Sequence, residues 1–74
     1  MTVAKTEIRN VIRRLRFEHG EMTQQALAEH VGCTRQTILL LERGRYVPSL
    51  ALALRIARVF GRTVDEVFQL EGET

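Results

Sequence analysis

Cysteine, proline and tryptophan are all but missing from this 74-residue chain, which holds one Cys, one Pro and no Trp. The lone Cys33 cannot close an intramolecular disulfide and supplies no thiolate cluster for zinc, which suits a reducing, cytoplasmic setting. The two histidines, His19 and His30, have no second His or Cys at ligand spacing, so no metal and no cofactor is expected. Long hydrophobic runs are also missing. The longest, within residues 37–41, is far below the roughly 20 residues that a membrane span needs. Residues 1–5 lack the apolar stretch of a signal peptide, so nothing directs the chain to a membrane or out of the cytoplasm. A large excess of one charge is absent as well. Net charge is +2 with a sequence pI near 9.3, which permits a nucleic-acid partner without demanding one. No nucleophile–base pairing, phosphate-cradling glycine loop or internal repeat is present, and an enzyme is not expected.

What the chain does have is a 45% hydrophobic and 27% charged composition, enough for one compact domain. Its core would be modest, so a partner subunit would add stability. Helical spacing predicts five short helices, at about residues 6–19, 24–31, 35–43, 50–60 and 64–70, and no convincing strand. Ile8, Val11, Ile12 and Leu15 carry the first, and Gly20 ends it. Thr23, Thr34 and Ser49 read as N-caps of the next three. Met22 and Leu27 have the spacing of a hydrophobic staple. The fourth helix is apolar on most sides and reads as the buried centre. Thr63-Val64-Asp65-Glu66 has the pattern of a capping box. The tail after Leu70 is polar and expected to fray. The fold class is therefore all-α, a compact five-helix bundle.

The informative stretch runs from Thr23 to Leu41. Ala28 lets two helix backbones approach, and Gly32 supplies the positive φ that a tight turn between them needs. Leu27, Val31, Ile38 and Leu41 fall where the two helices share one core, leaving the start of the second free to enter a major groove. Arg35 can donate two parallel hydrogen bonds to guanine, and Gln36 can pair with the edge of adenine. Thr37 can bond a base edge or touch a thymine methyl, and Leu40 offers apolar contact only. Thr34 leaves helix-start amides available to a phosphate.

These residues, with Ile12-Arg13-Arg14-Leu15-Arg16, Leu41-Glu42-Arg43-Gly44 and Pro48-Ser49-Leu50, resemble the Cro and phage-repressor family of helix-turn-helix regulators. The resemblance spans about Ile8 to Leu70 and is greatest to the short, single-domain bacterial members. It implies a lambda-repressor-like DNA-binding domain acting on double-stranded DNA in the cytoplasm, associated with the bacterial nucleoid. It places Arg35, Gln36, Thr37 and Leu40 at base-reading positions, and Gln24, Thr34, Arg43 and Arg45 at phosphate contacts. It also implies a buried ion pair between Arg16 and Glu42. The function it implies is a sequence-specific regulator, a repressor binding a near-palindromic operator as a homodimer, with Phe68 and Leu70 as a candidate seam.

Two departures stand out from the family pattern. Leu39 and Leu40 make the recognition helix unusually apolar, which fits either a thymine methyl contact or a protein-contact surface. The turn His19-Gly20-Glu21-Met22 is one residue longer than usual. An antitoxin-like or adaptor module, gripping a protein partner through Leu39, Leu40 and the last helix, is therefore the alternative. Arg9, Arg13 and Arg14 read as a solvated polar face, Arg55, Arg58 and Arg62 as surface, and Cys33 as an inert turn residue.

Overall fold

The helix boundaries are set by hydroxyl side chains. In the structure, a computed structural model that describes residues 6–72, the Thr23 Oγ1 accepts from the Ala26 amide at 2.9 Å. The Thr34 Oγ1 does the same for Thr37 at 3.2 Å, and the Ser49 Oγ for Leu52 at 3.1 Å. Each bond satisfies an amide that the first helical turn would otherwise leave unpaired. The expectations for residues 1–5 and for the last two residues of the tail lie outside the described part.

Seven elements follow in order: β1 (Ile8–Asn10), α1 (Ile12–Glu18), α2 (Gln24–Val31), α3 (Arg35–Glu42), α4 (Leu50–Val59), α5 (Val64–Val67) and β2 (Phe68–Leu70). β1 and β2 pair antiparallel, with Ile8 opposite Leu70 and Asn10 opposite Phe68. This corrects the reading of residues 6–19 and 64–70 as uninterrupted helices without strands. The cause in the first case is Asn10. Its Oδ1 accepts from the Ile12 amide at 3.2 Å, and its Nδ2 donates to the Leu41 carbonyl at 2.7 Å. This Asn10 side chain turns the chain from extended residues Ile8–Asn10 into α1 through Val11. The Val11 amide then donates to the Val67 carbonyl at 3.0 Å. In the second case Phe68 turns extended, at φ −121° and ψ 134°, and its strand finds β1 as partner.

Ile12, Leu15, Leu27, Val31, Ile38, Leu41, Ile56 and Val67 form the centre of the core, each at most 2% exposed. Burying such a side chain contributes about 1.5–3 kcal/mol, so α1 to α4 are held mainly by this cluster. α2 packs against both α3 and α4, and β1 against the end of α3. The fourth helix departs from the buried centre expected of it. Leu52, Ala53, Ile56 and Ala57 are buried, but Leu50 and Leu54 are 72% and 52% exposed. No further element among the described residues covers that edge.

Gly32 takes φ +76° in the turn between α2 and α3, with its amide on the Ala28 carbonyl at 2.9 Å. The longer turn after α1 puts two successive residues in the left-handed region, Gly20 at φ +71° and Glu21 at φ +55°. The Met22 amide closes it on the Arg16 carbonyl at 2.9 Å.

α5 is held at its start by Glu66, whose Oε1 accepts from the Thr63 amide at 2.8 Å and from the Thr63 hydroxyl at 3.1 Å. These bonds, the backbone one first, then the hydroxyl, with Arg62 nearby, hold the Glu66 carboxyl below its ordinary range. A carboxylate depressed in the folded state stabilises fully above the unfolded pKa and ceases to do so as pH falls through the folded one. Acidification should therefore release the Thr63 amide only below the usual glutamate range. An NMR titration of that amide checks this, and a midpoint at the ordinary glutamate value would contradict it.

Candidate nucleic-acid interface

Arg35 and Gln36 are exposed on the first turn of α3, and neither side chain makes a hydrogen bond or ion pair among the described residues. α3 begins directly after the Gly32 turn, and Ile38 and Leu41 anchor its inner face in the core. The first turn is thus rigidly supported from behind and open in front. Thr37 is half-buried, and its Oγ1 lies 3.0 Å from the Thr34 Oγ1, so its hydroxyl is engaged and its methyl is what remains. Leu39 and Leu40 are both half-buried, so the apolar character of α3 is partly absorbed by the fold.

Behind α3 lies a network that ties three helices together. The Arg16 Nε and Nη2 donate to the two Glu42 carboxylate oxygens at 2.7 and 3.0 Å, a bidentate pair. The Arg16 Nη1 donates to the Met22 carbonyl at 2.7 Å. Gln24, first residue of α2, donates its Nε2 to a Glu42 oxygen at 3.2 Å. The Arg16 and Glu42 side chains are only 12% and 8% exposed.

Gln24 and Arg43 line one recess together with Arg13, Arg16, Leu39 and Glu42. The sequence reading separated these residues: Gln24 and Arg43 as phosphate contacts, Arg13 as solvated face. Folding brings Arg13 beside the other two, because the Arg16–Glu42 pair ties α1 to the end of α3, where Gln24 of α2 also bonds Glu42. Its neighbour Arg14 points elsewhere and sits 3.7 Å from Glu18 in an exposed pair. Helical spacing alone separates Arg13 from Arg14, but only the approach of α1 to α3 shows which one shares a surface with Arg43. Arg43 is exposed at the C-cap of α3. Arg45 is half-buried, with its amide on the Leu40 carbonyl at 2.9 Å. Thr34 is exposed and its hydroxyl serves the cap. Phe68 and Leu70 lie on β2, remote in sequence from this surface, Phe68 half-buried against the core and Leu70 49% exposed.

Burial raises the Cys33 thiol above its ordinary range, which leaves little thiolate at neutral pH. Among the described residues no group of three or more His, Cys, Asp or Glu side chains is placed to hold a metal. No helix among them is long and apolar enough to cross a membrane.

Two short helices joined through a left-handed glycine, with polar side chains on the free first turn of the second, define a helix-turn-helix. Residues 7–70 match a family profile described as a helix-turn-helix domain. The chain is 55% identical over 65 residues to an uncharacterized HTH-type transcriptional regulator of Methanothermobacter thermautotrophicus, covering 86% of this chain and 93% of the relative. It is 46% identical over 66 residues to the HTH-type regulator YgzD of Bacillus subtilis, covering 89% and 98%. Among solved structures it is similar to the P22 c2 repressor, crystallised with a synthetic operator. That match has a TM-score of 0.67 at 26% identity, over 73% of this chain and 80% of that one. The chain belongs to the Cro and phage-repressor class of helix-turn-helix transcriptional regulators, which are not enzymes.

Proposed function

We propose that this protein is a sequence-specific repressor that binds a near-palindromic operator as a homodimer. Two copies would lay α3 into successive major grooves about 34 Å apart. The observation that carries this reading is the first turn of α3, where exposed Arg35 and Gln36 stand on a buried foundation. Arg35 reads guanine, Gln36 adenine, and the Thr37 and Leu40 methyls lie against bases. Gln24, the amides that follow Thr34, Arg43 and Arg45 take phosphates, and Arg13 joins them through the recess it shares with Gln24 and Arg43. Such contacts supply most of the affinity, while the base contacts supply the discrimination. The operator-bound P22 c2 repressor supports the same reading by likeness of fold. Repression follows from occupying promoter DNA, in the cytoplasm where the chromosome lies.

The adaptor alternative asks for an open apolar patch on α3 and a sizeable last helix. Half-buried Leu39 and Leu40 and a four-residue α5 favour it less.

Selection from a pool of random duplexes at two salt concentrations tests the proposal. Enrichment of an inverted repeat, with half-sites about one turn apart, is the expected result. A folded protein that enriches nothing overturns it. On the enriched duplex, Arg43→Ala and Arg13→Ala should each flatten the log–log salt slope by about 1, whereas Arg14→Ala should leave it unchanged. An Arg13→Ala slope equal to that of the parent removes Arg13 from the phosphate set.

A further inference from the structure

β1 is fastened to the same end of α3 that leads into the loop of Arg43 and Arg45. The Thr6 amide donates to the Gly44 carbonyl and the Asn10 Nδ2 to the Leu41 carbonyl, both at 2.7 Å, so the strand is held on either side of Arg9. Strand alternation leaves Arg9 exposed between half-buried Ile8 and Asn10. A recess opens where strand and helix meet. Arg9 and Asn10 line it from β1, Glu42 and Arg43 from the end of α3, and Glu71 from beyond β2. Glu42 and Arg43 also line the recess of Arg13 and Gln24. The two recesses therefore meet at Arg43, with Arg13 in one and Arg9 in the other. Charge does not cancel in the recess of Arg9. Glu42 is spent on Arg16 in a bidentate pair. Glu7 is two residues away and Glu71 is in the recess itself, yet the Arg9 side chain forms no hydrogen bond or ion pair with either, or with any other described residue. The Arg43 side chain has no such partner among them either. Glu71 offsets one of these two guanidiniums, which leaves the recess positive by one charge.

We propose that Arg9 is a further phosphate contact, and that the recess it shares with Arg43 takes a DNA phosphate next to the one held by Arg13 and Gln24. The small sheet, and not the helices alone, then grips the backbone of the duplex. The inference rests on the DNA-binding reading above and extends its phosphate set to β1. Two observations select a duplex phosphate as the occupant. The ligand must be an anion with several acceptor oxygens, because two unpaired guanidinium forks from different elements line one recess and an anion between them relieves their repulsion. The recess is also continuous, through Arg43, with that of Arg13 and Gln24, behind the helix whose first turn is open in front. Each DNA strand carries a charge about every 3.4 Å along the axis, so a backbone that passes Arg13 and Arg43 continues into the recess of Arg9.

Salt-dependent titration of a duplex with Arg9→Thr tests the contact. Threonine removes the charge and suits a strand, and circular dichroism checks the fold. The variant should bind more weakly than the parent, with a log–log salt slope flatter by about 1. The affinity gap between the two should then narrow about threefold from roughly 50 to 200 mM salt. Arg9→Lys should keep the parent slope. A neutral methylphosphonate placed singly along the duplex should weaken the parent at one position where it leaves Arg9→Thr unaffected. A folded Arg9→Thr with the parent slope, beside an Arg43→Ala that flattens it, overturns the role of Arg9 and leaves the DNA-binding reading standing. A parent that binds no duplex even at low salt overturns both. Should Arg9→Thr not fold, guanidinium NMR of the unmutated protein decides. The Nε–Hε signals of Arg9 and Arg43 should shift on addition of duplex while that of Arg14 stays in place, and an unmoved Arg9 signal overturns the proposal.

Discussion

Replacing Glu42 with alanine should cost about 3–5 kcal/mol of stability, the penalty for leaving a nearly buried guanidinium without its counter-charge. Glu42 accepts from Arg16 twice and from Gln24 once, and among the described residues the Arg16 side chain has only the Met22 carbonyl besides. For a domain of this length a loss of about 3 kcal/mol lowers Tm by more than about 12 °C, and small domains begin with little to spare. Urea unfolding followed by circular dichroism measures it. The paired variant Arg16→Met/Glu42→Leu should lose much less, because an apolar pair of similar volume asks for no desolvation of charge. A Glu42→Ala midpoint within about 1 kcal/mol of the parent would show the pair to be solvated and weak.

Arg35→Ala should weaken binding to the preferred duplex by about 1–3 kcal/mol, roughly 5- to 150-fold, and relax the choice of base at one position per half-site. The fold should be untouched, since Arg35 is exposed and has no partner among the described residues. Titrations against the selected duplex and its single-base variants distinguish the readings. A loss of equal size on every sequence would mean that Arg35 holds a phosphate, and its place in base reading would pass to Gln36.

Much of this fold was legible in the residues, because its helices are punctuated locally. Thr23, Thr34 and Ser49 mark three starts, and Gly32 and Gly44 mark stops, each within one turn of the residues it affects. The strands were not legible. Ile8, Ile12 and Leu15 keep helical spacing, and nothing within a turn of Asn10 reveals that its amide reaches the carbonyl of Leu41. Phe68-Gln69-Leu70 alternates for only three residues, too few to separate a strand from a helix end. The site divides in the same way. Arg35 and Gln36 follow from their place after the turn, and the Arg16–Glu42 pair was reached only by family likeness. The Gln24–Glu42 bond and the nearness of Arg13 to Arg43 depend on how three helices meet, which no spacing records. The exposed ridge of α4 escaped for the opposite reason. Apolar residues all round a helix suggest burial, and sequence does not say where the supply of covering elements ends.

The small sheet has a kinetic meaning as well. Pairing of β1 with β2 joins the first and last described elements, so it closes the longest loop in the fold and bears the largest closure entropy. The α2–α3 unit closes a far shorter one. Contacts of long sequence separation are gained late in folding and are the natural place for local opening to begin. Thr6, whose amide bonds the Gly44 carbonyl at 2.7 Å, and Asn10, on the Leu41 carbonyl, fasten that sheet to the far end of α3. A brief opening of the sheet would therefore loosen the end of α3 that leads into the loop of Arg43 and Arg45, while its first turn would stay fixed on α2. The two ends of α3 thus differ in what holds them, one a short local unit and the other the most distant pairing among the described residues.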